Sequence, residues 1–197
     1  MSKRLFDLVL AGLGLIALAP VFAAIAVWIK LDSPGPVFFR QVRVGRHGKP
    51  FRIHKFRTMV SCSDPAQLQI TVGDDNRITH SGRMLRRFKL DELAQLVDVV
   101  LGTMSLVGPR PEVPKYVALY PASMRDVVLS VKPGITDPAS IRFRNESEIL
   151  AQAADPEREY VETILPVKLR HYVQYVNTRT LVGDLGIILK TLGVVVC

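Results

Sequence analysis

The stretch Leu8-Val9-Leu10-Ala11-Gly12-Leu13-Gly14-Leu15-Ile16-Ala17-Leu18-Ala19-Pro20-Val21-Phe22-Ala23-Ala24-Ile25-Ala26-Val27-Trp28-Ile29 contains no charged residue. As a straight helix it would reach roughly 33 Å at ~1.5 Å per residue, enough to cross a bilayer core of ~30 Å. Three readings compete. Lys3 and Arg4 ahead of the run, with Ala24-Ile25-Ala26 inside it, fit a cleaved signal peptide. Against that reading, Lys30, Arg40, Arg43 and Arg46 follow at once, a positive load that resists translocation. The same charges oppose a simple span, because both flanks then favour the cytoplasm. Pro20 supplies the third reading. It removes a backbone donor and crowds the preceding turn, so the helix kinks or breaks and can return to the face it entered from. A re-entrant membrane helix over residues 1–30 is therefore preferred, with a kinked span second; the basic flanks decide it.

The rest of the chain, residues 31–197, reads as one body with its own core. Its length suits a single domain. The formal charge is +8 and the pI about 9.8, which calls for an anionic partner. A mean hydropathy of +0.21 is high for so basic a chain and turns that expectation towards a membrane surface. Cys62 and Cys197 lie far apart and form no metal-like cluster; a reduced cytosolic setting is the simpler assumption.

The local patterns predict an α+β, mainly helical fold. Asp32-Ser33-Pro34-Gly35-Pro36 ends the apolar segment as a turn cluster. Val37-Phe38-Phe39 and Phe51-Arg52-Ile53-His54-Lys55-Phe56 flank a Gly/Pro-containing link, the mark of a short β-hairpin. Ser61 to Asn76 is polar and loop-like. From Ser81 to Leu101 the apolar residues recur at helical spacing, with a break expected around Lys89 and a C-cap at Gly102. Pro109-Arg110-Pro111 and Pro114 predict a rigid loop, and Lys132 to Pro138 another turn-rich loop. Helical patterns return from about Pro156 to Tyr175 and from Leu181 to Val196. The last is so apolar that a buried core helix and an interfacial helix are equally compatible with it.

Asp91-Glu92 stands between Arg83-Met84-Leu85-Arg86-Arg87-Phe88-Lys89 and Ser105-Leu106-Val107-Gly108-Pro109-Arg110-Pro111. Two carboxylates in so basic a setting suggest chemistry on a phosphate. Arginine presents a planar fork that matches phosphate oxygens, and a carboxylate can attack phosphorus, take a proton or hold a metal ion. On the dipeptide alone, helix capping explains the acids equally well. Walker-type glycine loops, nucleophile elbows, zinc signatures and Cys/His metal spacings are all missing.

Order and spacing of several blocks make the chain similar to the monotopic phosphoglycosyl transferases, the bacterial sugar transferases. The blocks are Lys3-Arg4-Leu5-Phe6-Asp7, Asp32-Ser33-Pro34-Gly35-Pro36, Lys55-Phe56-Arg57-Thr58-Met59, Leu85-Arg86-Arg87, Leu90-Asp91-Glu92-Leu93, Met104 to Pro111, Lys132-Pro133-Gly134-Ile135-Thr136 and Leu165-Pro166-Val167-Lys168-Leu169. The resemblance implies transfer of a phospho-sugar from a UDP-sugar to a polyprenol phosphate, releasing UMP. It places that reaction on the cytoplasmic face of the bacterial inner membrane, with the protein in one leaflet and amphipathic helices at the interface. It implies Asp91 as a covalent nucleophile and ligand of Mg²⁺, and Glu92 as its assistant, by acting as a base or by orienting the site. Arg86 and Arg110 are carried over as phosphate or nucleotide contacts, with Lys55, Arg57, Arg142 and Arg144 as further basic groups. Lys3 and Arg4 are expected to meet lipid headgroups.

The chain departs from the family's habit at several places. Ala19 replaces a serine before Pro20, Ala94 a proline, Asp98 an asparagine and Thr103 an acidic residue, and the segment after Thr136 follows its own sequence. A nucleic-acid binder would explain the pI but not the apolar N-terminus. A non-catalytic membrane adaptor would leave the acid pair unexplained. No nucleic acid is expected among the partners.

Overall fold

The structure is a computed structural model, and it describes residues 2–60 and 75–196. The loop expected from Ser61 to Asn76 falls almost wholly outside these residues, as do both cysteines. Helix α1 (Ser2–Asp32) runs through Pro20 without a break, a correction to the expectation of a proline-broken helix. Proline removes one ladder hydrogen bond, and packing on both sides of it maintains the helix. Asp7, Ala11, Ile25 and Ile29 are buried, and Leu15, Leu18 and Phe22 pack between them against the body. These residues recur at steps of three and four, so one stripe of α1 faces the protein along its length. The other faces are open: Leu5, Leu13, Ile16, Val27 and Leu31 are all more than half exposed.

After the turn at residues 33–37, β1 (Phe38–Val44) and β2 (Pro50–Phe56) form the expected antiparallel hairpin, in register from Phe38↔Phe56 to Val44↔Pro50. Helix α2 (His80–Arg87) begins at Thr79, whose side chain accepts from the Gly82 amide. It ends at Lys89, which lies in the left-handed region. A 3-10 turn (Leu90–Gln95) and α3 (Leu96–Leu101) follow, closed by left-handed Gly102 as its C-cap.

Two loop expectations need correction. Within the segment from Lys132 to Pro138, β4 (Gly134–Thr136) pairs in parallel with β3 (Ser105–Val107). A Cβ on Gly134 would stand 2.1 Å from the Gly108 amide nitrogen, so the pair depends on glycine there. A three-residue strand shows no period, which is why the sequence reads as loop. Pro114 and Pro138 open short helices, α4 (Pro114–Val117) and α6 (Pro138–Arg142), where a missing N–H costs nothing.

The remaining elements are α5 (Ala122–Val128), α7 (Glu146–Ala151), and a continuous helical stretch of α8 (Pro156–Glu159), a π turn (Tyr160–Ile164) and α9 (Leu165–Thr178). Helix α10 (Leu181–Val196) completes the fold. Asp184 and Thr191 turn α10 inwards: Asp184 accepts from Tyr175, and the Thr191 and Thr136 hydroxyls lie 2.6 Å apart. Val182, Leu189 and Leu192 stay more than half exposed, so α10 is not a buried core helix. One core gathers Tyr116, Tyr160 and Tyr172 among α4 to α9. Two smaller clusters join α1 to the hairpin and to α2 and α3.

Candidate active site

The chain reverses at Lys89 and presents Asp91 and Glu92 in the first turn of the 3-10 segment, directly against β2. Apolar packing beneath this turn sets its position, with Ala94 and Leu85 buried among Ile25, Ile29 and Phe56. From β2, the Lys55 ammonium stands 2.8 Å from Asp91 Oδ2 and 3.4 Å from Glu92 Oε1. Arg110 approaches from the loop after β3 and donates to both Glu92 oxygens, Nη1 to Oε2 at 2.9 Å. That loop is braced from behind: the Gly134 amide donates to the Pro109 carbonyl, and Arg43 of β1 to the Pro111 carbonyl.

Arg86, on the last turn of α2, donates through Nε to Thr58 Oγ1 at 2.9 Å. Burial lowers its pKa, opposed by the carboxylates of Asp91, Asp75 and Glu92. For Glu92, burial alone would raise the carboxyl's pKa; Arg110 and Lys55 outweigh it and hold it well below the usual range. Glu92 is thus a fixed anion that organises two cations, and a weak proton acceptor. Asp91 is 2% exposed. Its Oδ2 meets Lys55, while Oδ1 is buried and among the described residues has no hydrogen-bond partner.

That orphaned oxygen fits a hard divalent cation, which takes one or two carboxylates and completes its shell with substrate phosphates and water. Among the described residues no group of three His, Cys, Asp or Glu side chains forms a ready metal cluster. Among the described residues Asp91 Oδ1 is the carboxylate oxygen left open for such an ion.

Asp91, Glu92, Lys55 and Arg110 are therefore in direct contact, with Arg86 alongside. Three other expected site residues are placed elsewhere. Arg57 is 3% exposed and donates to the carbonyls of Pro34 at 2.6 Å and Ser33 at 2.7 Å and to the Ser33 hydroxyl. It fastens the exit of α1 to the end of β2. Arg142 is exposed beside His171 and over the Phe143 ring. Arg144 is exposed and makes no contact with the acid pair. The headgroup expectation for Lys3 and Arg4 also changes. Lys3 pairs with Asp184 at 2.6 Å, and Arg4 donates to the Val99 and Val100 carbonyls at the end of α3.

Sequence reasoning passed over two features beside the site. Lys89 read as a helix break and as the end of the basic stretch before the acid pair, but not as a site residue, although its ammonium lies in electrostatic range of Glu92, Arg110, Asp91 and Lys55; its place two residues before Asp91 was the available signal. His54, read only as part of the second strand, donates its amide to Asp98 Oδ2 at 2.8 Å, and its Nδ1 lies 2.7 Å from Oδ1. Buried Asp98 thereby pins the residue before Lys55 to α3.

The family model for bacterial sugar transferases matches residues 1–197. A UDP-glucose:undecaprenyl-phosphate glucose-1-phosphate transferase of Escherichia coli is 43% identical over 75% of this chain, which spans 32% of that protein. A relative of the same description from Caulobacter vibrioides is 37% identical over 97% of this chain and 68% of its own length. An exopolysaccharide production protein of Sinorhizobium fredii is 35% identical over 98% of this chain and 85% of its own length. This chain thus spans about a third of the Escherichia coli relative it matches.

Proposed function

The chain belongs to the bacterial sugar transferase family, and from that membership we propose that it moves a phospho-sugar from a UDP-sugar to a polyprenol phosphate, releasing UMP. Asp91 is the nucleophile. One of its oxygens attacks the sugar-linked phosphorus, and the bond from that phosphorus to the UMP oxygen breaks. An oxygen of the polyprenol phosphate then attacks the same phosphorus. The Asp91–phosphorus bond breaks, leaving a polyprenol diphosphate sugar and a free carboxylate. Names of relatives that pair UDP-glucose with undecaprenyl phosphate support the substrate classes.

The observation that carries this reading is the division of labour within the acid pair. Asp91 is buried with Oδ1 free of any donor among the described residues, while Glu92 is committed to Arg110 and Lys55. A carboxylate attacking a diphosphate meets strong like-charge repulsion, which fixed cations reduce. Lys55 holds Asp91 in place, Arg86 has guanidinium donors left for phosphate oxygens, and Arg110, whose two terminal nitrogens are on Glu92, adds fixed positive charge. Mg²⁺ bound at Asp91 would polarise the diphosphate and stabilise charge on its oxygens. Glu92 orients these cations rather than serving as a base.

The membrane side of the proposal rests on α1. Both of its ends are tied to one body, through Lys3 and Arg4 at the start and through Ile29, Asp32 and Ser33 at the exit. Its outward faces and those of α10 are apolar and exposed. A helix held this way enters one leaflet and keeps the body on the cytoplasmic face of the inner membrane, where a soluble UDP-sugar and a lipid phosphate can meet.

The test incubates purified protein with Mg²⁺, polyprenol phosphate and a panel of UDP-sugars while following UMP. Release with at least one sugar is expected, together with its loss in Asp91→Asn and a phosphosugar adduct on Asp91 by mass spectrometry. Turnover in Asp91→Asn equal to the unsubstituted enzyme would remove Asp91 as nucleophile.

A further inference from the structure

Lys89 occupies a backbone conformation that lysine seldom adopts, φ 53° and ψ 19°. The turn is well made: the Lys89 amide donates to the Arg86 carbonyl at 3.1 Å, and its own carbonyl accepts from the Glu92 amide at 3.3 Å. Glycine or asparagine would fill such a position with less strain, and strained backbone tends to gather at ligand sites. What lysine adds is its ammonium. It is exposed, and among the described residues it makes no hydrogen bond or ion pair.

The cations around it are engaged. Lys55 is held by Asp91 and Glu92, Arg110 by Glu92, and Arg86 donates through Nε to Thr58. Asp91 Oδ1, buried and without a partner, is an independent sign that this turn accepts a ligand. A phosphate arriving here meets two carboxylates already in place. It therefore gains most from cations that no carboxylate has already claimed: the outer end of the Arg86 guanidinium, whose Nε alone is engaged, and the Lys89 ammonium.

We propose that Lys89 is a substrate-binding residue, whose ammonium takes a phosphate oxygen of the anionic substrate at the mouth of the acid-pair site. The assignment rests on the phosphoryl-transfer reading above. The phosphate belongs to the nucleotide-sugar or to the lipid acceptor, and the chemistry is the same for both.

Lys89→Asn and Lys89→Gly test it, because both residues accept the left-handed turn and neither keeps the charge. Each is expected to lower kcat/KM about tenfold or more, as for loss of a charge-assisted hydrogen bond. Lys89→Arg is expected to retain most of the activity, and no variant should melt earlier than the unsubstituted protein. A raised KM for UDP-sugar with slower adduct formation in the absence of lipid assigns the nucleotide-sugar phosphate. A raised KM for polyprenol phosphate with unchanged adduct formation assigns the lipid phosphate.

Calorimetric binding of UDP and of a short-chain polyprenol phosphate gives a readout independent of turnover. Unchanged affinity of Lys89→Asn for both probes would overturn the proposal. Absence of UMP release by the unsubstituted protein with every sugar would instead sink the phosphoryl-transfer reading, while weaker binding by the variant would still identify Lys89 as a phosphate ligand.

Discussion

Arg110 grips Glu92 as a fork, with Nη1 on Oε2 at 2.9 Å and Nη2 on Oε1, and Lys55 stands 3.4 Å from that same Oε1. One carboxylate thus fixes Arg110 and shares Lys55 with its neighbour Asp91. A planar guanidinium on a planar carboxylate constrains both position and orientation, so the acid pair is set before any substrate arrives.

The first prediction concerns pH. The folded state holds the Glu92 carboxyl well below its reference pKa of 4.5. Below 4.5 the unfolded chain therefore binds the proton first, and stability contributed by this pair falls as pH drops through the folded-state value. It is fully present near neutral pH. Melting temperatures should decline more steeply below about pH 4.5 in the unsubstituted protein than in Glu92→Gln. Parallel acid profiles would show that the fork contributes nothing to folding.

Arg57 and Lys55 lie two residues apart on the chain and should separate cleanly on substitution. Arg57→Ala deprives the Pro34 and Ser33 carbonyls of their donor and should cost about 2–4 kcal/mol of stability. Lys55→Ala removes the partner of a buried carboxylate and should cost about 1–3 kcal/mol, but unlike Arg57→Ala it should also lower kcat at least ~100-fold, since it leaves Asp91 unrestrained beside a phosphate. Denaturant titration and UMP release measure the two. A stable Arg57→Ala protein with lost turnover would return Arg57 to the active site.

Lys3 and Asp184 join the two ends of the chain at 2.6 Å. Lys3→Ala leaves Asp184 buried with Tyr175 as its remaining side-chain partner, and should destabilise the protein by about 1–3 kcal/mol. Adding Asp184→Asn should recover part of that loss. A double-mutant cycle with zero coupling would mean that the pair does not tie α1 to α10.

Topology can be read from labelling. Trp28 is the only tryptophan and is 37% exposed on α1, so bilayer-embedded quenchers should reach it. Cysteines introduced at Ser2 and Lys30, both exposed, should react with an impermeant reagent from the cytoplasmic side only. Labelling of the two positions from opposite sides would establish a span.

The sequence alone determined those elements whose cause is local. An uncharged run of helical length became α1. The period of apolar residues gave α2, α3 and α10, and the break near Lys89 and the cap at Gly102 follow from backbone chemistry that neighbours largely set. Asp91 and Glu92 stood out because adjacent acids between arginine-rich blocks are a local pattern too.

Tertiary structure alone decided how the cations are shared out. An arginine binds whatever acceptor lies within reach, and reach depends on contacts distant in sequence. Arg57 closes on carbonyls at the exit of α1, while Arg110 closes on Glu92; Arg142 and Arg144 remain outside, and Lys3 meets a residue near the other end of the chain. The parallel pairing of β3 and β4 was equally hidden, because strands of three residues carry no period and join only when glycine lets the backbones touch. Local propensity specifies the elements; the partner of each charged side chain is settled only when distant segments pack together.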